Sequence, residues 1–206
     1  MTPPPEAADN STFNLDDNVV IGYHCERKAV PPLQLGDNAR LRSGTILYDG
    51  STIGENFQTG HNVVVREECS IGDNVAIWGN TVIDYGCVIG DNVKIHTGIY
   101  VAQFTVIEDG AFLAPGVSIA NDLYPGDDDS AEVMAGPIIE TGAQIGVGVT
   151  LLPYVRIGAG SIIGSGSVVS RDIPPGVVAF GNPARVNRKV EELPPVADRD
   201  TDHPLR

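Results

Sequence analysis

An aliphatic or small β-forming residue returns every six positions along this chain. The run starts at Leu35 and passes through Leu41, Leu47, Ile53, Thr59 and Val65 to Ile119 without a slip. After an interruption it resumes at Ile139 and continues through Ile145, Leu151, Ile157 and Ile163 to Val169. The next residue is often Gly, as in IGEN, IGDN and IGAG, and the fifth position is mostly small or β-branched, as at Ala39, Thr45, Val63, Cys69 and Val75, with Phe57 the large exception. A helix needs apolar returns near every 3.6 residues and a half-buried strand every 2, so a period of six fits neither alone. It fits a repeating turn and strand, in which positions one and five point inward and Gly, Asn or Asp at the corners accept positive φ.

With one hexad on each side of a triangular prism, eighteen residues close one coil. The pattern predicts an all-β parallel β-helix of about seven to eight coils, the seven regular ones about 34 Å tall at the spacing of parallel strands. Each coil covers the edge of the next, so one core runs through the stack. The expected organisation is a disordered segment at 1–11, an amino-terminal cap with a partial coil at 12–34, the helix at 35–174 with a loop inserted at about 122–138, a carboxy-terminal cap at 175–190 and a mobile tail at 191–206.

The hexads, with IGDNVAIWGN, IGDNVKIHTG and the closing VVSRDIPPGVVAFGNPARVNRK, resemble the hexapeptide-repeat acyltransferases over roughly residues 35–190. The resemblance implies a left-handed β-helix, acetyl-CoA as co-substrate, no required metal, and a homotrimer with CoA in the groove between subunits. Gly148, Ser165, Gly166 and Arg171 are then expected to line CoA. Arg185 joins them, because guanidinium groups pair with phosphates through two bonds. The segment APGVSIANDLYPG is similar to that of the sugar-nucleotide N-acetyltransferases, matching at Asn121 and Pro125. It departs at Gly126, where Arg would stand, and at His96, Thr97 and Gly98, where Gln or Asn is usual.

Positions eighteen apart stack in columns. One column holds Trp78 and His96 and its neighbour His61; another runs Asp49, Glu67, Tyr85, Gln103 and Asn121, ending where the inserted loop leaves. Taken with the resemblance, these columns make His96 the expected general base and Asn121 the expected group orienting the acceptor. His61, Trp78, Tyr85, Gln103 and Asp122 are further substrate contacts, and a backbone N–H near Gly98 or Gly116 is the expected oxyanion donor. A histidine near its ordinary pKa can take a proton at neutral pH.

Charge sharpens the picture. The net charge of -14 disfavours nucleic acid or an anionic membrane as partner. No Lys or Arg occurs between Ile95 and Tyr154, whereas the loop carries Asp122, Asp127, Asp128, Asp129 and Glu132, a stretch that attracts a cationic acceptor such as an amine. Three cysteines without CxxC spacing fit a reducing compartment, and with no apolar run of membrane-spanning length the expected location is the cytoplasm. The expected activity is N-acetylation of an amino-sugar nucleotide or related amino sugar. O-acetylation of a sugar hydroxyl and a non-catalytic scaffold are the alternatives. A zinc enzyme on this prism would need three histidines, and the four here are nowhere within ten residues of one another.

Overall fold

The computed structural model describes residues 13–195; the expected disorder at 1–11 and most of the expected tail lie outside them. The chain is a parallel β-helix built almost entirely of two-residue strands separated by four-residue corners. Three sheets of ten, eight and seven strands form the sides of the prism, parallel throughout except for the last strand of the ten-stranded one. Register follows the eighteen-residue period: Ala76 pairs with Lys94 and Ile77 with Ile95. Across the interruption Val106 pairs with Ile138, which is that period plus fourteen residues.

The inward positions build the core. Leu41, Leu47, Ile77, Ile83, Ile95 and Ile107 are fully buried, as are the fifth-position residues Phe57, Val63, Val75 and Val93. Fifth-position hydroxyls bond into the next coil: Ser51 Oγ donates to the carbonyl of Arg66 at 2.7 Å and Thr81 Oγ1 to that of His96 at 3.0 Å. A buried hydroxyl therefore costs little, because it replaces water with a corner carbonyl.

The corners carry Asn and Gly at positive φ as expected. On the corner leading from the seven-stranded to the ten-stranded sheet these are Asn38, Asn56, Asn74 and Asn92, with φ of 57–61°, and Gly110, Gly142 and Gly160, with φ of 64–67°. The glycine of the IG pair serves close approach instead. A Cβ on Gly72 would lie 2.2 Å from Asp91 Oδ1 and 2.9 Å from the backbone of the next coil. The same stacking lets Asp91 Oδ1 accept from the Asp73 N–H at 2.8 Å.

The two ends are closed differently. Val20–Tyr23 already pairs with Ile46–Tyr48, with a register shift after Ile21, so a coil forms below Leu35. At the other end Val177–Gly181 lies parallel on Ile162–Ile163 and antiparallel to Ala184–Lys189. Two segments leave the prism: residues 24–33 and residues 120–137. Both depart from the corner between the eight-stranded and seven-stranded sheets. The Ala135 N–H donates to the Asn121 carbonyl at 2.9 Å and closes the neck of the second. No helix among the described residues is long and apolar enough to cross a membrane.

Candidate functional site

The predicted site residues fall on two corners separated by the eight-stranded face. The first corner joins the ten-stranded to the eight-stranded sheet and carries His61, Trp78, His96, Gly148, Ser165 and Gly166. The second joins the eight-stranded to the seven-stranded sheet and carries Tyr85, Gln103, Asn121, Asp122 and Arg171. Arg185 lies in the closing hairpin, its Nη1 donating to the Ala184 carbonyl at 2.9 Å. A single chain thus brings His96 together with His61 and Trp78, and Asn121 together with Gln103, but holds the two sets apart.

On the first corner the imidazole of His96 is stacked on the indole of Trp78, with centroids 4.4 Å apart and planes within 9°. Phe112, one coil further, packs tilted against the same imidazole at 5.0 Å. The Trp78–His96 stack follows from the eighteen-residue column, and two aromatic contacts fix the ring plane. Below it, His61 Nδ1 lies 3.2 Å from Ser43 Oγ. His61, Trp78, Arg42 and Thr59 line an open cavity of about 270 Å³. The two glycines themselves do not offer the expected oxyanion donor: the Gly98 and Gly116 N–H groups donate to the carbonyls of Gly79 and Thr97, both at 3.1 Å, which leaves only neighbouring amides for that role. Gly148 and Gly166 likewise spend their N–H groups on Pro115 and Val147, and Ser165 Oγ accepts from the Val147 N–H at 3.2 Å.

The second corner holds a polar network that the hexad pattern hides. Glu67 occupies a third position, where its neighbours face solvent, yet its side chain is fully buried. The reason is the segment 24–33, which folds over it and delivers Arg27 Nε at 3.0 Å, while Arg66 Nη2 approaches at 3.1 Å from the other side. Burial works against the Glu67 charge. Its own N–H and the two guanidinium groups outweigh burial and hold the carboxyl below the usual carboxylate range. Arg66 also pairs with the buried Asp84 at 3.3 Å.

Asp84 is the hub. Its Oδ2 accepts from Tyr100 Oη and from Gln103 Nε2, each at 2.6 Å. Burial and the Asp84 carboxylate both raise the Tyr100 pKa, so the phenol stays a donor. Gln103 Oε1 in turn accepts from Asn121 Nδ2 at 2.6 Å, which fixes the Asn121 amide at the neck of the second excursion. Asp122 Oδ1 accepts from the Tyr124 N–H at 2.7 Å, so this carboxylate shapes the loop. Arg66 and Asp84 stand eighteen residues apart, and that spacing was the available signal for their pairing. Arg27 has no such signal, because it lies outside the repeat.

Cys69 and Cys87 are buried, with Cys87 Sγ against the Ala102 carbonyl at 3.3 Å. Contact with the Cys69 thiol and burial push the Cys87 pKa well up, which suits packing and opposes nucleophilic use. No cluster of three or more metal-ligating side chains occurs among the described residues.

Comparison with known proteins finds the family described as bacterial transferase hexapeptide (six repeats). Its pattern matches residues 50–84, 86–121 and 136–171, together more than half of the chain. A galactoside O-acetyltransferase of Lactococcus lactis is 43% identical over 82 residues, which are 38% of this chain and 40% of that protein. The chain therefore spans about two-fifths of the length of such a relative. Among solved structures, a UDP-N-acetylglucosamine acyltransferase from Campylobacter jejuni superposes with a TM-score of 0.68 at 18% identity, over 87% of this chain and 74% of that one. A UDP-N-acetylglucosamine acyltransferase of Arabidopsis gives 0.52 at 18% identity, over 88% and 74%. At these identities the two structures establish a shared fold.

Proposed function

The chain belongs to the bacterial hexapeptide-repeat transferases, and from that premise we propose that it moves an acetyl group from acetyl-CoA to the amine of an amino sugar, nucleotide-linked or otherwise. The observation that supports this reading is the first corner. There a histidine, held in plane by Trp78 and Phe112, stands on the same edge of the prism as Gly148, Ser165 and Gly166, the positions expected to line CoA.

In this reading the neutral amine attacks the thioester carbonyl, a C–N bond forms, the C–S bond breaks and CoA leaves as the thiol. His96 takes the amine proton as attack proceeds and returns it to the departing sulfur. Such assistance is worth about 10²–10⁴-fold in rate. Asn121 presents its Nδ2 to Gln103, so its Oδ1 is the atom available to the acceptor. Asp122 and the acidic loop favour an ammonium on approach.

The separation of His96 from Asn121 within one chain gives the homotrimer a chemical purpose. A ring of three uses unlike patches at each contact, so the first corner of one protomer can face the second corner of the next. The acceptor then lies in a groove with one wall from each.

A second reading has its own support. The 43% identical stretch of the Lactococcus protein, named a galactoside O-acetyltransferase, favours a sugar hydroxyl as acceptor, with His96 acting in the same way. Thiol release from acetyl-CoA, measured against amino sugars, their nucleotides and matching hydroxyl-only sugars with mass detection of products, separates the two. Release with amine-bearing acceptors alone, lost in His96→Ala, is the expected result. Release only with hydroxyl acceptors selects the second reading, and release with none, together with no CoA binding, points to a scaffold.

A further inference from the structure

We propose that the acceptor is carried on a carbohydrate chain, and that several of its sugar units lie along an aromatic ribbon on the second corner. This inference rests on the acyltransfer reading above and narrows its substrate class.

The tyrosines of the chain are not scattered. Of the six in the sequence, Tyr23, Tyr48, Tyr85, Tyr124 and Tyr154 lie on the second corner or on the excursions that leave it. The sixth, Tyr100, sits on the adjoining face with its hydroxyl on Asp84. Phe104 continues the row, edge-on to Tyr85 at 5.4 Å, while the Arg27 guanidinium lies 3.9 Å over the Tyr85 ring and Arg66 stands over Tyr48, so one face of each of these two rings is already taken. Five of these rings are well exposed: Tyr23 at 46%, Tyr100 at 44%, Phe104 at 41%, Tyr124 at 65% and Tyr154 at 47%. From the Tyr23 rung to the Tyr154 rung is six strand spacings, about 29 Å.

Two of the rings sit where the backbone disfavours them. Phe104 and Tyr154 have φ of 61° and 64°, in the left-handed region. The same column holds Gly50 and Gly86 on other coils, also at positive φ. Bulky residues there cost on the order of 1–3 kcal/mol each. Glycine fills this turn on two other coils and Glu68, with φ of 61°, on a third, and burial does not explain the choice of a ring, since Phe104 and Tyr154 both stay about half exposed. Tyr154 does donate its hydroxyl to the Val133 carbonyl, and Phe104 does lean on Tyr85, but neither contact covers a ring face fully.

Sugar rings suit such a row. Their C–H faces carry partial positive charge and pack on the negative face of an aromatic ring. Their hydroxyls need donors and acceptors beside it, and Gln103, Asn121 and Asp122 supply these. Both ends of the row open into cavities that contain tyrosines. One, of about 320 Å³, includes Tyr23 and Tyr48; the other, of about 290 Å³, includes Tyr124. Nucleic acid would use the same stacking, but the acidic loop and the net charge of -14 oppose a polyanion. Arg27 and Arg66 do not reverse this, because Glu67, Glu68 and Asp84 neutralise them.

The test is calorimetric titration of the intact protein, without CoA, with neutral N-acetylglucosamine oligomers from one unit to six. The six-unit chain should bind at least about tenfold more tightly than the single sugar. Phe104→Asn, which retains a residue tolerant of left-handed φ, and Tyr124→Ala, on the excursion, should each flatten that length dependence without lowering the melting temperature. Equal affinity at every length overturns the proposal. So does tighter binding of a single nucleotide sugar than of the six-unit chain, and so does loss of oligomeric state in both variants, which would make the ribbon a subunit contact. A protein that releases thiol with single sugars but shows no length dependence keeps the acyltransfer reading and loses this one; chain binding without any thiol release overturns the acyltransfer reading, and with it the claim that the bound chain is an acceptor.

Discussion

The indole of Trp78 lies flat on the imidazole of His96, 4.4 Å away, and it is the only tryptophan in the chain. Its fluorescence is therefore a local report on this corner, where His61 also lines the cavity beside it. An imidazolium stacked on an excited indole quenches it, whereas the neutral ring does so far less. Any loss of emission on acidification that arises in this stack should vanish in His96→Gln. If His96 is the base, kcat/KM should fall over the same pH interval and by the same midpoint. A fluorescence step that survives the substitution, or a rate profile displaced from it, would detach the histidine from the chemistry.

His96 and Asn121 stand on different corners, so the proposed site needs two chains. His96→Ala and Asn121→Ala protomers, each inactive alone, should complement one another after mixed refolding. With random assortment, a contact joins an intact histidine corner to an intact asparagine corner about one time in four, so activity should return to about a quarter of the parent value. Failure to recover activity in demonstrably mixed oligomers would mean that both residues serve one chain's site, or that one of them serves none. A monomer by light scattering would remove the shared site altogether.

Glu67 gives a prediction in which the sign is fixed by its environment. Its carboxyl is held below the usual range in the folded chain, so its contribution to stability is complete above the unfolded value of about 4.3 and is lost as pH falls through the folded value. Glu67→Gln should cost about 1–3 kcal/mol near neutral pH, or about 2–10 °C in melting temperature. The gap between variant and parent should narrow below about pH 4. A gap that does not change with pH would show that packing of segment 24–33, and not the charge, is what Glu67 provides.

How much of this was legible beforehand depends on whether a contact obeys the repeat. The eighteen-residue period placed Trp78 beneath His96 and Gln103 beneath Asn121, and the structure has both contacts. It also predicted the parallel sheets, because a six-residue rhythm has few other ways to bury its apolar positions. Departures arise where a residue outside the repeat intervenes. Glu67 reads as outward facing until Arg27, from a segment with no period, covers it. The corner amides of Gly98 and Gly116 read as open donors because the sequence does not show which carbonyl the preceding coil offers. The columns also set His96 on one face and Asn121 on the next; what they did not show is that one chain alone leaves the two on separate corners with the eight-stranded sheet between them.

The acidic excursion offers a test that separates an amine acceptor from a hydroxyl one. Asp127, Asp128 and Asp129 are exposed at its tip, and Asp127 Oδ1 accepts from the Asp129 N–H at 3.1 Å. Replacing all three with Asn keeps that acceptor and the turn while removing three charges. An ammonium-bearing acceptor should then show a KM raised by up to about tenfold at low ionic strength, with kcat little changed, because the lost interaction acts on approach. The effect should fade as salt shortens the screening length towards about 3 Å at 1 M. A neutral hydroxyl acceptor carries no charge for the loop to attract, so its KM should be the same in parent and variant at every salt concentration. Equal KM for an amine acceptor at low salt would leave the loop's acidity without a role in capture, and the case for an amine would then rest on product analysis alone.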